Sequence, residues 1–154
     1  MNRTHEEIKQ WDQQYHMPTY GRFDAVLVSG KGAIAVDANG KEYVDFGAGI
    51  GVNALGYCDD GWVAAVSAQA ARLQHCSNLY YNDAQADLVR ELCEVTGFSR
   101  AFLCNSGAEA NECAIKLARK YSFDAYGEGR YEIISLHNPF HGRTITTLAA
   151  TGQA

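Results

Sequence analysis

The sequence lacks most of the features that mark the large special classes of protein. It has only two prolines, charged residues make up 20% and hydrophobic residues 47%, a balance that excludes a collagen, a coiled coil and a disordered tail. Its longest apolar stretches fall far short of the ~20 residues that span a bilayer. The start, Met1-Asn2-Arg3-Thr4-His5-Glu6-Glu7, is polar and has no h-region, so no secretory signal is expected. No cluster of Lys and Arg is present, and the net charge of -5 comes from interspersed acids and bases. Neither nucleic acid nor an anionic membrane is therefore an expected partner. Five cysteines, Cys58, Cys76, Cys93, Cys104 and Cys113, make an odd count with no CxxC pair. That excludes a disulfide framework and a zinc site as expectations, leaves no metal expected, and suits small buried thiols in a reducing cytoplasm.

What the chain has in abundance is glycine, 15 in 154 residues. Glycine serves tight turns and backbone that must approach a ligand closely. The length suits one domain that hides roughly two-thirds of its unfolded surface.

Along the chain, Trp11 and Tyr15 are spaced i, i+4 in a first helix that Met17-Pro18 ends. Residues 25–28, 34–36 and 43–46 read as short strands, joined by Ser29-Gly30-Lys31-Gly32 and by Asp37-Ala38-Asn39-Gly40-Lys41, which predicts an antiparallel meander. A glycine-dense stretch, residues 47–56, follows. Helices are predicted from Trp62 to His75, with Trp62, Val66, Ala70 and Leu73 on one stripe, and from Ala84 to Val95, with Leu88, Leu92 and Val95 inward and Gly97 as the stop. Residues 102–104 and 131–136 read as strands, with helices from Ser106 to about Tyr121 and from about Thr144. Helix–strand–helix–strand–helix order implies a parallel sheet covered by helices, an α/β fold.

Three segments carry candidate chemistry. In Asn105-Ser106-Gly107-Ala108-Glu109-Ala110-Asn111-Glu112 a buried strand turns straight into a helix. Ser106 is placed as N-cap, with Glu109 completing a capping box. The first-turn amides of Gly107 and Ala108 have no intrahelical partner and sit at the positive end of the helix dipole. With the Ser106 hydroxyl they could hold a phosphate, although a helix cap with no ligand is the commoner meaning of Ser-x-x-Glu. Glu112 and Lys116, spaced i, i+4, read as a solvated pair. In His137-Asn138-Pro139-Phe140-His141-Gly142-Arg143-Thr144, at the carboxyl end of a strand, Phe140 could stack on a flat heteroaromatic ligand and Arg143 could take a carboxylate bidentately. His137 and His141 are as readily hydrogen-bonding props as titrating groups. In Ser77-Asn78-Leu79-Tyr80-Tyr81-Asn82, the tyrosines and asparagines form either a turn with partly buried rings or a lining for a site or a subunit interface.

Taken together, these segments make the chain resemble the class III, pyridoxal-phosphate-dependent aminotransferases of fold type I. The matching stretches are Met17-Pro18-Thr19-Tyr20, Gly30-Lys31-Gly32-Ala33, residues 45–53, residues 75–81, residues 105–112 and Phe140-His141-Gly142-Arg143-Thr144. The last two mark the class broadly, whereas Met-Pro-Thr-Tyr and Ser-Asn-Leu-Tyr-Tyr favour its acetylornithine branch. The resemblance implies that residues 1–56 are an N-terminal helix and meander within a small domain. Residues 57–154 would then begin the large cofactor-binding α/β domain, incomplete here. It further implies pyridoxal phosphate held by Ser106, Gly107, Ala108 and Phe140, the substrate α-carboxylate on Arg143, and Asn78 and Tyr80 near the site or the dimer contact. The implied reaction moves the terminal amino group of N-acetylornithine to 2-oxoglutarate in arginine biosynthesis, in a cytoplasmic homodimer. Other class III ω-aminotransferases (ornithine, succinylornithine, 4-aminobutyrate) share the phosphate and Phe-His-Gly-Arg-Thr motifs, and a non-catalytic fragment is a further alternative. None of Lys9, Lys31, Lys41, Lys116 and Lys120 matches the family's Schiff-base lysine, so no catalytic residue is expected in this stretch and it should be inactive alone. Where the family often shows Gly-His-x-His-Pro, this chain has Gly56-Tyr57-Cys58-Asp59-Asp60-Gly61.

Overall fold

The structure, a computed structural model, describes residues 3–152. The chain forms two compact units, one up to Leu79 and the other from Tyr80.

The first unit opens with helix α1, His5–Tyr15. Its capping box is local chemistry: the Glu7 N–H donates to Thr4 Oγ1 at 3.2 Å and the Thr4 N–H to Glu7 Oε2 at 2.8 Å. His16 is already extended, just ahead of Met17-Pro18. Strands β1 (Leu27–Lys31), β2 (Ile34–Asp37) and β3 (Glu42–Val44) form the expected antiparallel meander in the order β1-β2-β3. Its first turn is tighter than expected. Ser29, Gly30 and Lys31 belong to β1 and pair with Val36, Ala35 and Ile34, so only Gly32 and Ala33 turn. Gly30 lies under the Tyr57 ring, where a Cβ would stand 2.7 Å from Tyr57 Cγ, and glycine inside a strand marks such close approaches.

The second turn is closed by Asp37, which is 5% exposed. Its carboxylate accepts the Asn39 and Lys41 amides, both at 2.9 Å, and the Tyr43 hydroxyl at 3.0 Å. A buried carboxylate satisfied by several donors keeps its charge. Beyond β3, four successive residues, Ala48, Gly49, Ile50 and Gly51, have positive φ and make a short left-handed turn, α2 (Ala48–Gly51). Asp45 anchors it by accepting the Gly47 and Ala48 amides at 2.8 and 3.0 Å and the Tyr57 hydroxyl at 2.8 Å. Helix α3, Asp60–Arg72, starts before Trp62 because Asp59 caps it, accepting the Trp62 N–H at 2.9 Å. Its expected inward stripe, Trp62, Val66 and Leu73, stays exposed within this stretch.

The second unit holds α4 (Asp83–Thr96), α5 (Gly107–Tyr126) and α6 (Ile145–Thr151). Asn82 caps α4 and a left-handed Gly97 ends it, while Leu88, Leu92 and Val95 remain exposed. Helix α5 runs past Tyr121 to Tyr126, with a Lys120–Asp124 ion pair and an edge-to-face contact between the rings of Tyr121 and Tyr126 along the extra turn. Helices α5 and α6 meet, and Ile115, Thr147 and Thr151 are buried there.

The expected strands at 102–104 and 131–136 are not formed, and with them the expected parallel sheet is missing among the described residues. A strand exists through its ladder, and neither segment has a hydrogen-bonded strand neighbour here. The 131–136 segment is instead tied to α5 by Arg119 Nε, which donates to the Tyr131 carbonyl at 2.9 Å. No helix among the described residues is long and apolar enough to cross a membrane.

Candidate functional site

The N-terminus of α5 is capped as the sequence predicts: Ser106 is extended and its hydroxyl accepts the Glu109 N–H at 3.2 Å. The reciprocal half of the capping box differs. Glu109 reaches one residue further back and accepts the Asn105 N–H at 2.6 Å, with the Asn105 side-chain amide at 3.4 Å. The turn before the helix thereby closes on the Glu109 carboxylate, which is spent on Asn105.

That leaves three donors at the helix start. The amides of Gly107 and Ala108 have no hydrogen-bond partner among the described residues, and the Ser106 hydroxyl proton is uncommitted because the oxygen acts as acceptor in the cap. The space ahead of them is open, since a Cβ built on Gly107 meets nothing within 4 Å. Two free amides and a hydroxyl at the positive end of a 20-residue helix are chemistry for a phosphoryl group.

The second predicted segment comes to the same helix end. Gly142 has φ +125°, and a Cβ on it would stand 2.6 Å from Ala108 Cβ and 2.9 Å from Ala108 Cα. Only glycine lets the loop lie on the first turn of α5 at that distance. Phe140 and Arg143 stand on either side of this contact, with the Arg143 guanidinium 5.3 Å from the Phe140 ring centroid in cation–π geometry. Phe140 is otherwise largely exposed, so an aromatic face is available beside the cup. His141 works through its backbone: its N–H donates to Thr151 Oγ1 at 3.0 Å and its carbonyl accepts Asn111 Nδ2 at 2.8 Å.

Ser106, Gly107, Ala108, Phe140 and Arg143 therefore gather at one end of α5. Asn78 and Tyr80 are not brought to them by any hydrogen bond among the described residues, and Asn78 belongs to the first unit. Sequence reading missed Asn111, Glu112, Thr144 and Thr151. Glu112 was expected to pair with Lys116, but its carboxylate accepts the Thr144 hydroxyl at 2.6 Å. The i, i+4 spacing of Thr147 and Thr151, both buried, is the one local hint of a polar seam. No group of three His, Cys, Asp or Glu that could hold a metal occurs among the described residues.

The class III aminotransferase family matches residues 15–154, and the chain belongs to that family, whose members depend on pyridoxal phosphate. Among curated relatives, the acetylornithine aminotransferase of Haemophilus ducreyi is 55% identical over 150 residues, covering 97% of this chain and 38% of that protein. The acetylornithine aminotransferase of Methanocaldococcus jannaschii is 54% identical over 140 residues, covering 91% of this chain and 35% of its own length. The chain thus spans little more than a third of these relatives.

Among solved structures, ornithine aminotransferase from Toxoplasma gondii ME49 superimposes with a TM-score of 0.89 at 34% identity, over 97% of this chain and 37% of that one. The same enzyme crystallised with oxidized glutathione, described as holding PLP at partial occupancy in its active site, gives 0.86 at 33% identity over 98% and 37%. The fold is therefore that of the PLP-dependent aminotransferases. The meander and helices form part of it.

Proposed function

We propose that this chain is the N-terminal part of an aminotransferase that moves the terminal amino group of N-acetylornithine to 2-oxoglutarate, giving the corresponding semialdehyde and glutamate. The observation that carries the substrate is the 55% identity to an acetylornithine aminotransferase over 97% of this chain. In this reading Ser106, Gly107 and Ala108 hold the cofactor phosphate, supported by their unpartnered donors and the open space at Gly107. Phe140 lies against the cofactor ring, and Arg143 takes the substrate α-carboxylate through its planar fork. The cofactor, when bound, supplies a carbonyl carbon and an electron-withdrawing ring. The chain's own residues supply an anion site, an aromatic wall and a carboxylate anchor that orients the donor amine.

Residues 1–56 are assigned to the small domain and 57–154 to the start of the large one, Asn78 and Tyr80 to the site rim or subunit contact, and the enzyme to a cytoplasmic homodimer in arginine biosynthesis. The lysine that carries the cofactor lies outside this stretch, which is inactive alone. Supporting that reading, three of the five lysines pair with surface carboxylates: Lys9 with Asp24 at 2.7 Å, Lys31 with Asp60 at 2.5 Å, and Lys120 with Asp124. Borohydride reduction of the full-length holoenzyme followed by peptide mapping should label no lysine among residues 1–154.

The similarity to an ornithine aminotransferase structure favours ornithine as the second reading. Single-turnover mixing of the full-length holoenzyme with N-acetylornithine, ornithine and 4-aminobutyrate separates the two. The acetylated donor should react fastest, and equal rates with all three would overturn the assignment.

A further inference from the structure

The loop that bears Phe140 and Arg143 is gripped by polar groups to which the proposed function gives no part. Asn111 Nδ2 donates to the His141 carbonyl at 2.8 Å, and Glu112 Oε1 accepts the Thr144 hydroxyl at 2.6 Å. Ala108, against which Gly142 rests, lies three and four residues before them, so all three occupy neighbouring positions on the first turns of α5. From the other side, Thr151 Oγ1 accepts the His141 N–H at 3.0 Å. Both backbone polar groups of His141 are thus fixed, one by each helix. Phe140 precedes this anchored residue, and Arg143 sits between the Gly142 contact and the Thr144 bond.

The Glu112–Thr144 bond is charge-assisted and therefore stronger than a neutral one. It also sets a direction. Thr144 has a single hydroxyl proton, and giving it to Glu112 leaves its oxygen to accept from Thr147, whose hydroxyl lies 2.7 Å away. The Thr144 N–H in turn donates to Thr147 Oγ1 at 3.0 Å, so the cap of α6 is oriented from α5.

We propose that Glu112 is a positioning residue of the site. Glu112 acts through Thr144, alongside the Asn111 bond to the His141 carbonyl, to keep Phe140 and Arg143 in fixed register over the start of α5. The proposal rests on the reading above, in which those two side chains meet cofactor and substrate.

The test uses the full-length enzyme with Glu112→Leu, Glu112→Gln, Thr144→Val and the Glu112→Leu/Thr144→Val pair. Glu112→Leu and Thr144→Val should each raise KM for the amino donor on the order of tenfold and speed amide exchange of residues 140–144 in the apoenzyme by a similar factor. Because Thr144→Val also takes away the N-cap hydroxyl of α6 and its contact with Thr147 Oγ1 at 2.7 Å, the double variant should match Thr144→Val alone, with Glu112→Leu adding nothing in that background. Glu112→Gln keeps an accepting oxygen and should stay within about threefold of wild type in both readouts. Wild-type loop exchange in Glu112→Leu, or Glu112→Gln as damaged as Glu112→Leu, or independent effects of the two sites would overturn the proposal. If Glu112→Leu does not fold, Glu112→Ala removes the same bond without the added bulk and carries the test. If the wild-type enzyme transaminates none of the donors, the function reading fails, while loop exchange still decides whether Glu112 holds the loop.

Discussion

Gly142 rests on Ala108: a Cβ at position 142 would stand 2.6 Å from the Ala108 Cβ and 2.8 Å from Thr147 Oγ1. This contact brings a loop and a helix terminus into one site, and it leaves no room for adjustment, because the backbone of one side and the first turn of the other are both rigid. Gly142→Ala should therefore combine a strained φ with overpacking, and lower stability by about 2–4 kcal/mol. Urea unfolding of the full-length enzyme measures the loss, and cofactor affinity should fall with it as the loop lifts from α5.

Ser106 offers a test that separates capping from anion binding. Ser106→Asp retains a good N-cap acceptor and adds a charge that favours the helix dipole, so thermal stability should hold or rise. A carboxylate at the cup would repel a phosphate, and pyridoxal phosphate affinity should drop by on the order of a hundredfold. Unchanged affinity in a spectroscopic titration of the apoenzyme would leave Ser106 as a cap alone.

Arg143→Lys keeps the charge and removes the fork. It should raise KM for the amino donor about tenfold or more, with cofactor affinity unchanged. The variant also loses the planar guanidinium that lies 5.3 Å from the Phe140 ring centroid. A loss of cofactor comparable with the loss of substrate would contradict the carboxylate role.

The first unit should have an acid limb to which Asp37 contributes. The Lys41 amide, then the Tyr43 hydroxyl and the Asn39 amide, hold its carboxyl below the ordinary value of 3.8, against the desolvation that raises it. A folded-state value below the unfolded one gives stability that is complete above about pH 4 and is lost as pH falls through the folded value. Asp37→Asn should lower stability at neutral pH and flatten this loss, as followed by unfolding between about pH 7 and about pH 3.

Helices and caps were readable because their chemistry lies within one turn: Ser106 and Gly97 each declare a boundary through neighbours a few residues away. The meander was readable from Asn39-Gly40 and its flanking apolar residues, with β1 longer because Ser29, Gly30 and Lys31 pair with Val36, Ala35 and Ile34, a register that no local pattern encodes. The segments 102–104 and 131–136 have strand composition, yet a ladder needs a partner strand, and none of the described residues supplies it. Glu112 was misread for a related reason. Its i, i+4 neighbour Lys116 is visible on a helix diagram, whereas Thr144 stands 32 residues further along. The Ser106 cap of α5 and the loop from Phe140 to Thr144 were each legible alone. Their union through Gly142 and Ala108 required the fold.

The bonds that join α5 to the loop and α6 have a consequence for how the molecule is made. Asn111 to His141 spans 30 residues, Glu112 to Thr144 spans 32, and His141 to Thr151 spans 10. Such short loops close at low entropic cost and early. A nascent chain emerging at roughly 5–20 residues per second holds every group of this junction once Thr151 has cleared the ribosome. The start of α5 and the loop from Phe140 to Thr144 can therefore come together as soon as that stretch of chain is free of the ribosome.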